Sequence, residues 1–206
     1  MQDEAPTFEA INLLGLILEK TESVEERELL FTAVDALRFI ETTGQQYEFN
    51  DYRQDLMTEG PAMVIASFAT REEAEAWLKN HPKPPRRAAV LIADEYHTVY
   101  YRRDTNDRRL VSTHSIEYHL EEMMKDGRPP PVASFDTREQ ARAWFYSLPE
   151  RPSQAVIQLG GEPYLAAYHR KLDHLAFHPF SLLEPFEQWR KTLDEKKDPE
   201  EPGPRS

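Results

Sequence analysis

The chain has no cysteine and only seven glycines among its 206 residues. The first absence excludes disulfides, thiolate zinc sites, iron–sulfur clusters and cysteine nucleophiles. No apolar run approaches the roughly 20 residues that a membrane-spanning helix needs. The first residues, Met1-Gln2-Asp3-Glu4, are acidic and lack the positive region of a secretory signal, so a cytoplasmic location is expected. There is no G-x-S-x-G, no Walker A loop, no dinucleotide fingerprint and no H-E-x-x-H. His114 and His119 are five apart and do not share a helical face, while His169, His174 and His178 are strung along an expected hairpin. Carboxylate pairs such as Glu72-Glu73 and Glu121-Glu122 fall on exposed helix faces. These readings give no catalytic residue, no metal site and no cofactor, and an enzyme is the last of the function classes considered.

Aromatic residues make up 11% of the chain, too many for a fully disordered protein even at a mean hydropathy of -0.71. The dominant feature is an internal repeat. Ala66-Ser67-Phe68-Ala69-Thr70-Arg71-Glu72-Glu73-Ala74-Glu75-Ala76-Trp77 recurs as Ala133-Ser134-Phe135-Asp136-Thr137-Arg138-Glu139-Gln140-Ala141-Arg142-Ala143-Trp144, an offset of 67. The register holds without a gap through Pro82/Pro149, Pro85/Pro152, Glu95/Glu162, Tyr101/Tyr168 and Arg103/Arg170.

Each copy reads as β-α-β-β-(β)-α. A short apolar run ending at Phe68 or Phe135 is a strand. Thr70 and Thr137 are helix N-caps, with Glu73 and Gln140 at the capping-box position. Trp77 and Trp144 are expected to anchor the helix on the sheet. Turns are placed at Asp94-Glu95 and at Gly160-Gly161, the latter a strong hairpin signal. Helices over 115–125 and 182–194 close the copies. Residues 10–19, 24–40 and 46–57 read as three further helices. The expected fold is therefore α+β: two tandem homologous units with helices on one sheet face, preceded by a helical segment. The expected boundaries are an acidic helical segment over 1–59, repeats over 60–126 and 127–193, and a disordered tail over 194–206.

The net charge is -12, and residues 1–60 hold 14 acids against 4 bases, a local excess of -10. Such a segment either keeps the chain soluble or docks a basic partner, as an acidic protein can enter a phosphate-binding cleft. The acids singled out for that role are Glu19, Glu22, Glu25, Glu26, Glu28 and Asp35. Two basic clusters run the other way, Lys83 to Arg87 and Arg102-Arg103 with Arg108-Arg109. Tyr96, Tyr100 and Tyr101 beside the second cluster suggest a single-strand nucleic-acid platform, although Asp104 and Asp107 interrupt it.

The repeated A-S-F-x-T-R-E-x-A-x-A-W stretch, with its proline linker and hairpin, resembles a group of small acidic myxobacterial proteins that carry one or two copies of this unit. The resemblance covers about residues 62–180 and rests on the Phe-x-Thr-Arg-Glu and Trp positions. It brings no catalytic residues. It implies a toxin-neutralising immunity protein with a cognate protein toxin as partner, and the acidic charge favours a basic toxin, a nuclease above all. The alternatives are a self-associating scaffold, a homodimer built through exposed sheet edges, and then a nucleic-acid-binding regulator. Nucleic acid and membrane are not the expected partners.

Overall fold

Pro6 opens the first helix, where its missing N–H costs nothing, and Gly44 (φ 69°) lies just past the end of the second, where a left-handed residue stops a helix. The computed structural model describes residues 6–57 and 60–197. The chain divides into two compact units, Met1–Thr58 and Glu59–Ser206. The first is helical: α1 (Pro6–Lys20), α2 (Val24–Thr42) and α3 (Gln46–Met57). The Ser23 hydroxyl caps α2 by accepting from the Glu26 N–H. Arg27 donates to the carbonyls of Leu18 and Thr21, satisfying the C-terminal end of α1 across the turn. The Thr7 hydroxyl at the start of α1 lies 3.1 Å from a Glu41 carboxylate oxygen at the end of α2, so the two helices run antiparallel.

The second unit begins with β1 (Val64–Phe68), α4 (Arg71–Asn80), β2 (Ala89–Ile92), β3 (Glu95–Arg102), β4 (Asp107–Ser112) and α5 (Ser115–Met124). It continues with β5 (Ser134–Phe135), α6 (Arg138–Ser147), β6 (Gln154–Leu159), β7 (Glu162–His169), β8 (His174–Pro179) and α7 (Leu183–Lys197). Among the described residues the chain is thus mixed α+β, with seven α-helices and two four-stranded mixed sheets. The sheet orders are β1-β2-β3-β4 and β5-β6-β7-β8, and in each the first pair is parallel and the rest antiparallel.

Local chemistry explains the starts of α4 and α6. The Thr70 and Thr137 hydroxyls accept from the N–H groups of Glu73 and Gln140, each at 3.3 Å. The Gln140 side chain accepts in return from the Thr137 N–H, completing a capping box. Glu73 reaches one residue further back, to the Ala69 N–H at 3.0 Å.

Two details differ from the sequence reading. The first hairpin turn is Ala93-Asp94, not Asp94-Glu95, because Ile92 and Glu95 pair across it. A two-residue turn of this kind needs positive φ at both positions; Gly160 (58°) and Gly161 (87°) meet this easily, Ala93 (50°) and Asp94 (66°) at a cost. Helix α7 runs past Asp194 to Lys197, the last described residue. Residues 198–206 of the expected tail lie outside the described residues.

Three apolar layers hold the second unit. Ala74 and Leu78 of α4 pack on Val90, Ile92, Val99 and Leu110. Ala141 and Phe145 of α6 pack on Ile157, Leu159, Ala166, Leu175 and Phe177. The opposite faces of both sheets then meet in one core: Val64, Leu91 and Tyr96 from one, Val156, Leu165 and Ala176 from the other, with Ile116 and Leu120 of α5. Strand alternation explains this, since residues i and i+2 point to the same face and both faces of each sheet are apolar.

Leu165 is fully buried in the shared layer. Leu165→Ala is expected to lower unfolding free energy by about 2–5 kcal/mol, read from the urea midpoint. Ala93→Gly removes the left-handed strain at the hairpin and is expected to raise stability by about 0.5–1 kcal/mol in the same assay. A midpoint lowered by Ala93→Gly would count against the turn geometry.

Candidate functional site

The six acids singled out in the sequence all lie on the helical unit, Glu19 on α1, Glu22 in the turn and the others on α2, and all six are exposed. Among the described residues none of them is in an ion pair, and Arg27 beside them is spent on backbone carbonyls. They do not form one stripe. At about 100° per residue, Glu25, Glu28 and Asp35 share one side of α2, whereas Glu26 is turned away from Asp35 by roughly half a revolution.

The repeat anchors occupy matching geometry. Phe68 packs on Trp77 and Phe135 on Trp144, each with ring centroids 5.3 Å apart. Both tryptophans are half-buried, and the enclosed positions of their helices are Ala74 and Leu78, and Ala141 and Phe145. The tryptophans therefore cover the rim of each helix–sheet layer, on the phenylalanine that ends the edge strand.

Three arginines of the second basic cluster are committed. Arg102 pairs with Asp104 at 3.0 Å and Arg109 with Asp107 at 2.8 Å. Arg108 donates to the carbonyls of Leu78, Lys79 and His81, closing the end of α4. Tyr96 does not join Tyr100 and Tyr101 on an outer face; it is buried against the other sheet. Alternation puts Tyr101 on the other face of β3 from Tyr96 and Tyr100, and Tyr96 is enclosed at its end of the strand, so the three rings do not share one exposed surface.

What the sequence reading passed over is a polar cluster in the shared core. Strand β8 brings His174 opposite His169 of β7, with ring centroids 6.4 Å apart. The hydroxyl of Tyr96 is hydrogen-bonded to His169 Nε2 at 3.3 Å, and its ring lies 5.7 Å from that of His178. His174 Nε2 lies 2.9 Å from the carboxylate of Asp94, which the strained hairpin turn delivers. His169 and His178 are buried, and His178 Nε2 finds no hydrogen-bond partner among the described residues.

The cause of the electrostatics is burial. It pushes His169 down to about 4, helped by the charges of His178 and His174 and opposed by Asp94. It pushes His178 down to about 4 as well, opposed by Asp94 and helped by His119, Arg138 and His174. Burial also holds the Tyr96 hydroxyl protonated far above its ordinary range. Burial acts to raise the carboxyl of Asp94, but the hydrogen bond from His174 and the neighbouring positive charges hold it below its usual value. Among the described residues no three His, Cys, Asp or Glu side chains are placed to hold a metal ion.

A signal for this cluster was present at the offset of 67. Asp94 stands opposite Gly161, Tyr96 opposite Pro163, His169 opposite Arg102, His174 opposite Asp107 and His178 opposite Val111. All five members are positions where the two halves differ.

An open groove of about 890 Å³ lies beside α6, lined by Trp144, Arg151, Tyr168 and Arg170 among others. Its Arg151 is already held by Tyr168 and Asp173, at 3.0 and 3.1 Å, so that cation is neutralised in place. The chain matches no known protein family, no curated protein and no solved structure.

The buried histidines set a pH dependence. Their folded values lie below the ordinary one of about 6.5, so the unfolded chain binds protons that the folded chain refuses. Stability is expected to be complete above pH 6.5 and to fall as pH drops from 6.5 towards 4, in urea titrations at stepped pH. His178→Phe should flatten part of that slope. An unchanged slope would remove His178 as its source.

Proposed function

We propose that this protein is a non-enzymatic inhibitor that works by binding another protein, an immunity protein that masks the active site of a cognate basic toxin. A nuclease is the favoured toxin, because its phosphate-binding cleft attracts an anionic surface. The observation that carries this reading is the exposed set of carboxylates on α1, its turn and α2, none ion-paired among the described residues. The resemblance of the repeated stretch to small acidic myxobacterial proteins points the same way.

The finer architecture belongs to this reading. Residues 60–126 and 127–193 are two copies of one duplicated unit, and residues 1–59 are the partner-specific element. What supports the duplication is the offset of 67, which recurs in the bounds of α4 and α6, of β3 and β7, and of β4 and β8. The site of action is the cytoplasm.

The test starts with capture from the native host, followed by binding kinetics on the purified pair. The expected partner is a stoichiometric basic protein whose association rate falls steeply between low and physiological salt. Reversing Glu25, Glu26 and Glu28 to Lys together is expected to slow association about tenfold or more while leaving the helical signal intact. If association rate and salt dependence both survive that change, the acidic surface is not the binding element.

A further inference from the structure

The charge of the first sheet is divided between its ends. Asp94 and Glu95 lie at one end, at the β2–β3 turn. At the other end β2 begins, β3 ends and β4 begins. The chain there, residues 79–87 and 100–109, holds eight cations against two carboxylates in a protein of net charge -12. The same positions at the offset of 67, residues 146–154 and 167–176, hold three against two. The second sheet reaches the same strand order without the extra cations, so the architecture does not require them.

Backbone contacts bring these stretches to one corner. The Arg87 N–H donates to the Val99 carbonyl at 2.9 Å, and the Val99 N–H donates to the Ala88 carbonyl at 2.8 Å. Two residues of one strand thus face one of the other, a β-bulge. Its first residue, Arg87, has φ 62°, a conformation that glycine adopts freely and arginine at a cost. Its counterpart Gln154 sits in regular pairing with Ala167. Such outliers concentrate at binding sites. On the other side of β3, Arg109 stands directly opposite Tyr100, which is 41% exposed. Arg108 holds the end of α4 at this corner through the carbonyls of Lys79 and His81. Lys79, Lys83, Arg86, Arg87 and Arg103 are exposed, and none is in an ion pair among the described residues. An open groove of about 870 Å³ leads from the corner between α4 and the outer strand β4. Its lining includes Arg71, Lys79, Arg108 and Arg109 against Glu75 and Asp107.

The charge calls for an anionic occupant, so a basic toxin finds no complement here. An extended acidic peptide would add to the free edge of β4. The Leu110 carbonyl of that strand already accepts from Arg71 at 3.2 Å, and the Arg108 side chain is folded back onto α4. The three-ring platform expected from the sequence is absent, yet one ring stays open, with Arg109 on one neighbouring strand and Arg87 on the other. Cations that track a phosphate chain beside an exposed aromatic ring suit unstacked bases. We infer that this end of the first sheet, with the groove along β4, binds single-stranded nucleic acid. Lys83, Arg86, Arg87 and Arg103 hold its phosphates and Tyr100 stacks a base. This goes beyond the inhibitor reading and does not depend on it.

Fluorescence anisotropy of the full chain with a labelled oligothymidylate of about 20 nucleotides tests it. The expected result is saturable micromolar binding that weakens at least about tenfold between about 25 and 150 mM salt. Arg86→Glu combined with Arg87→Gly is expected to weaken binding about tenfold or more and to flatten the salt dependence. The glycine relieves the left-handed strain, so the fold, followed by circular dichroism, should be retained. Tyr100→Ala is expected to weaken binding about fivefold or more with the salt slope unchanged, because stacking releases no counterions. No anisotropy change at about 100 µM protein, or binding that both variants leave unaltered, overturns the inference. Polyglutamate that binds as tightly as the oligonucleotide, with Tyr100→Ala without effect, overturns it too and makes the corner a docking surface for acidic protein. Toxin binding by the Arg86/Arg87 variant would leave the inhibitor reading intact, so the two proposals fail separately.

Discussion

Each four-stranded sheet of the second unit has two apolar faces, one under its own helix and one turned to the other sheet and to α5. Everything else in that unit follows from how the remaining face is covered. Helices α4 and α6 take one face each, and the other two faces cover one another. Leu91 and Tyr96 on one side and Leu165 and Ala176 on the other lose water only when both sheets are present. Burial at roughly 25 cal/mol per Å² makes this mutual cover a stabilising contact that ties the two halves together.

The same constraint accounts for the histidines. A sheet face turned towards a second sheet has no solvent in which to place polar groups, so they must satisfy one another. Tyr96, Asp94, His169 and His174 do so, and they come from both halves. His178 is held neutral without a partner for Nε2 among the described residues. All five residues of the cluster stand at positions where the two halves differ, as Leu91 of the inner layer and its counterpart Gln158 also do.

The helical unit follows a different logic. Its charge is strongly of one sign, yet its helices carry more apolar surface than the hairpin itself encloses. Glu28 and Asp35 lie on a different side of α2 from Leu29, Ala33, Ala36 and Ile40, whereas Glu25 and Glu26 flank those apolar positions. Screening weakens the charged surface as salt rises and leaves the apolar one untouched.

Much of the secondary structure was legible because it rests on local physics. Threonine caps, proline stops, the Gly160-Gly161 turn and the 3.6-residue period act within a few residues of one another, and the elements fall close to where they were read. The offset of 67 showed that the two halves would be built from the same elements in the same order. The Ala93-Asp94 turn was misplaced by one residue because strand pairing, not turn composition, fixes which two residues sit at the tip. The members of the histidine cluster were legible only as positions where the two halves differ; their meeting was not, since residues 94 and 174 are 80 positions apart and no periodicity links them. Nor did the sequence reveal that Tyr96 faces inward, since alternation assigns a residue to one of two faces but not to the face that meets another sheet. Local rules thus determined the elements, their ends and the charge of each segment. Only the tertiary structure decided which faces meet, because that depends on how much apolar area every possible pairing removes from water.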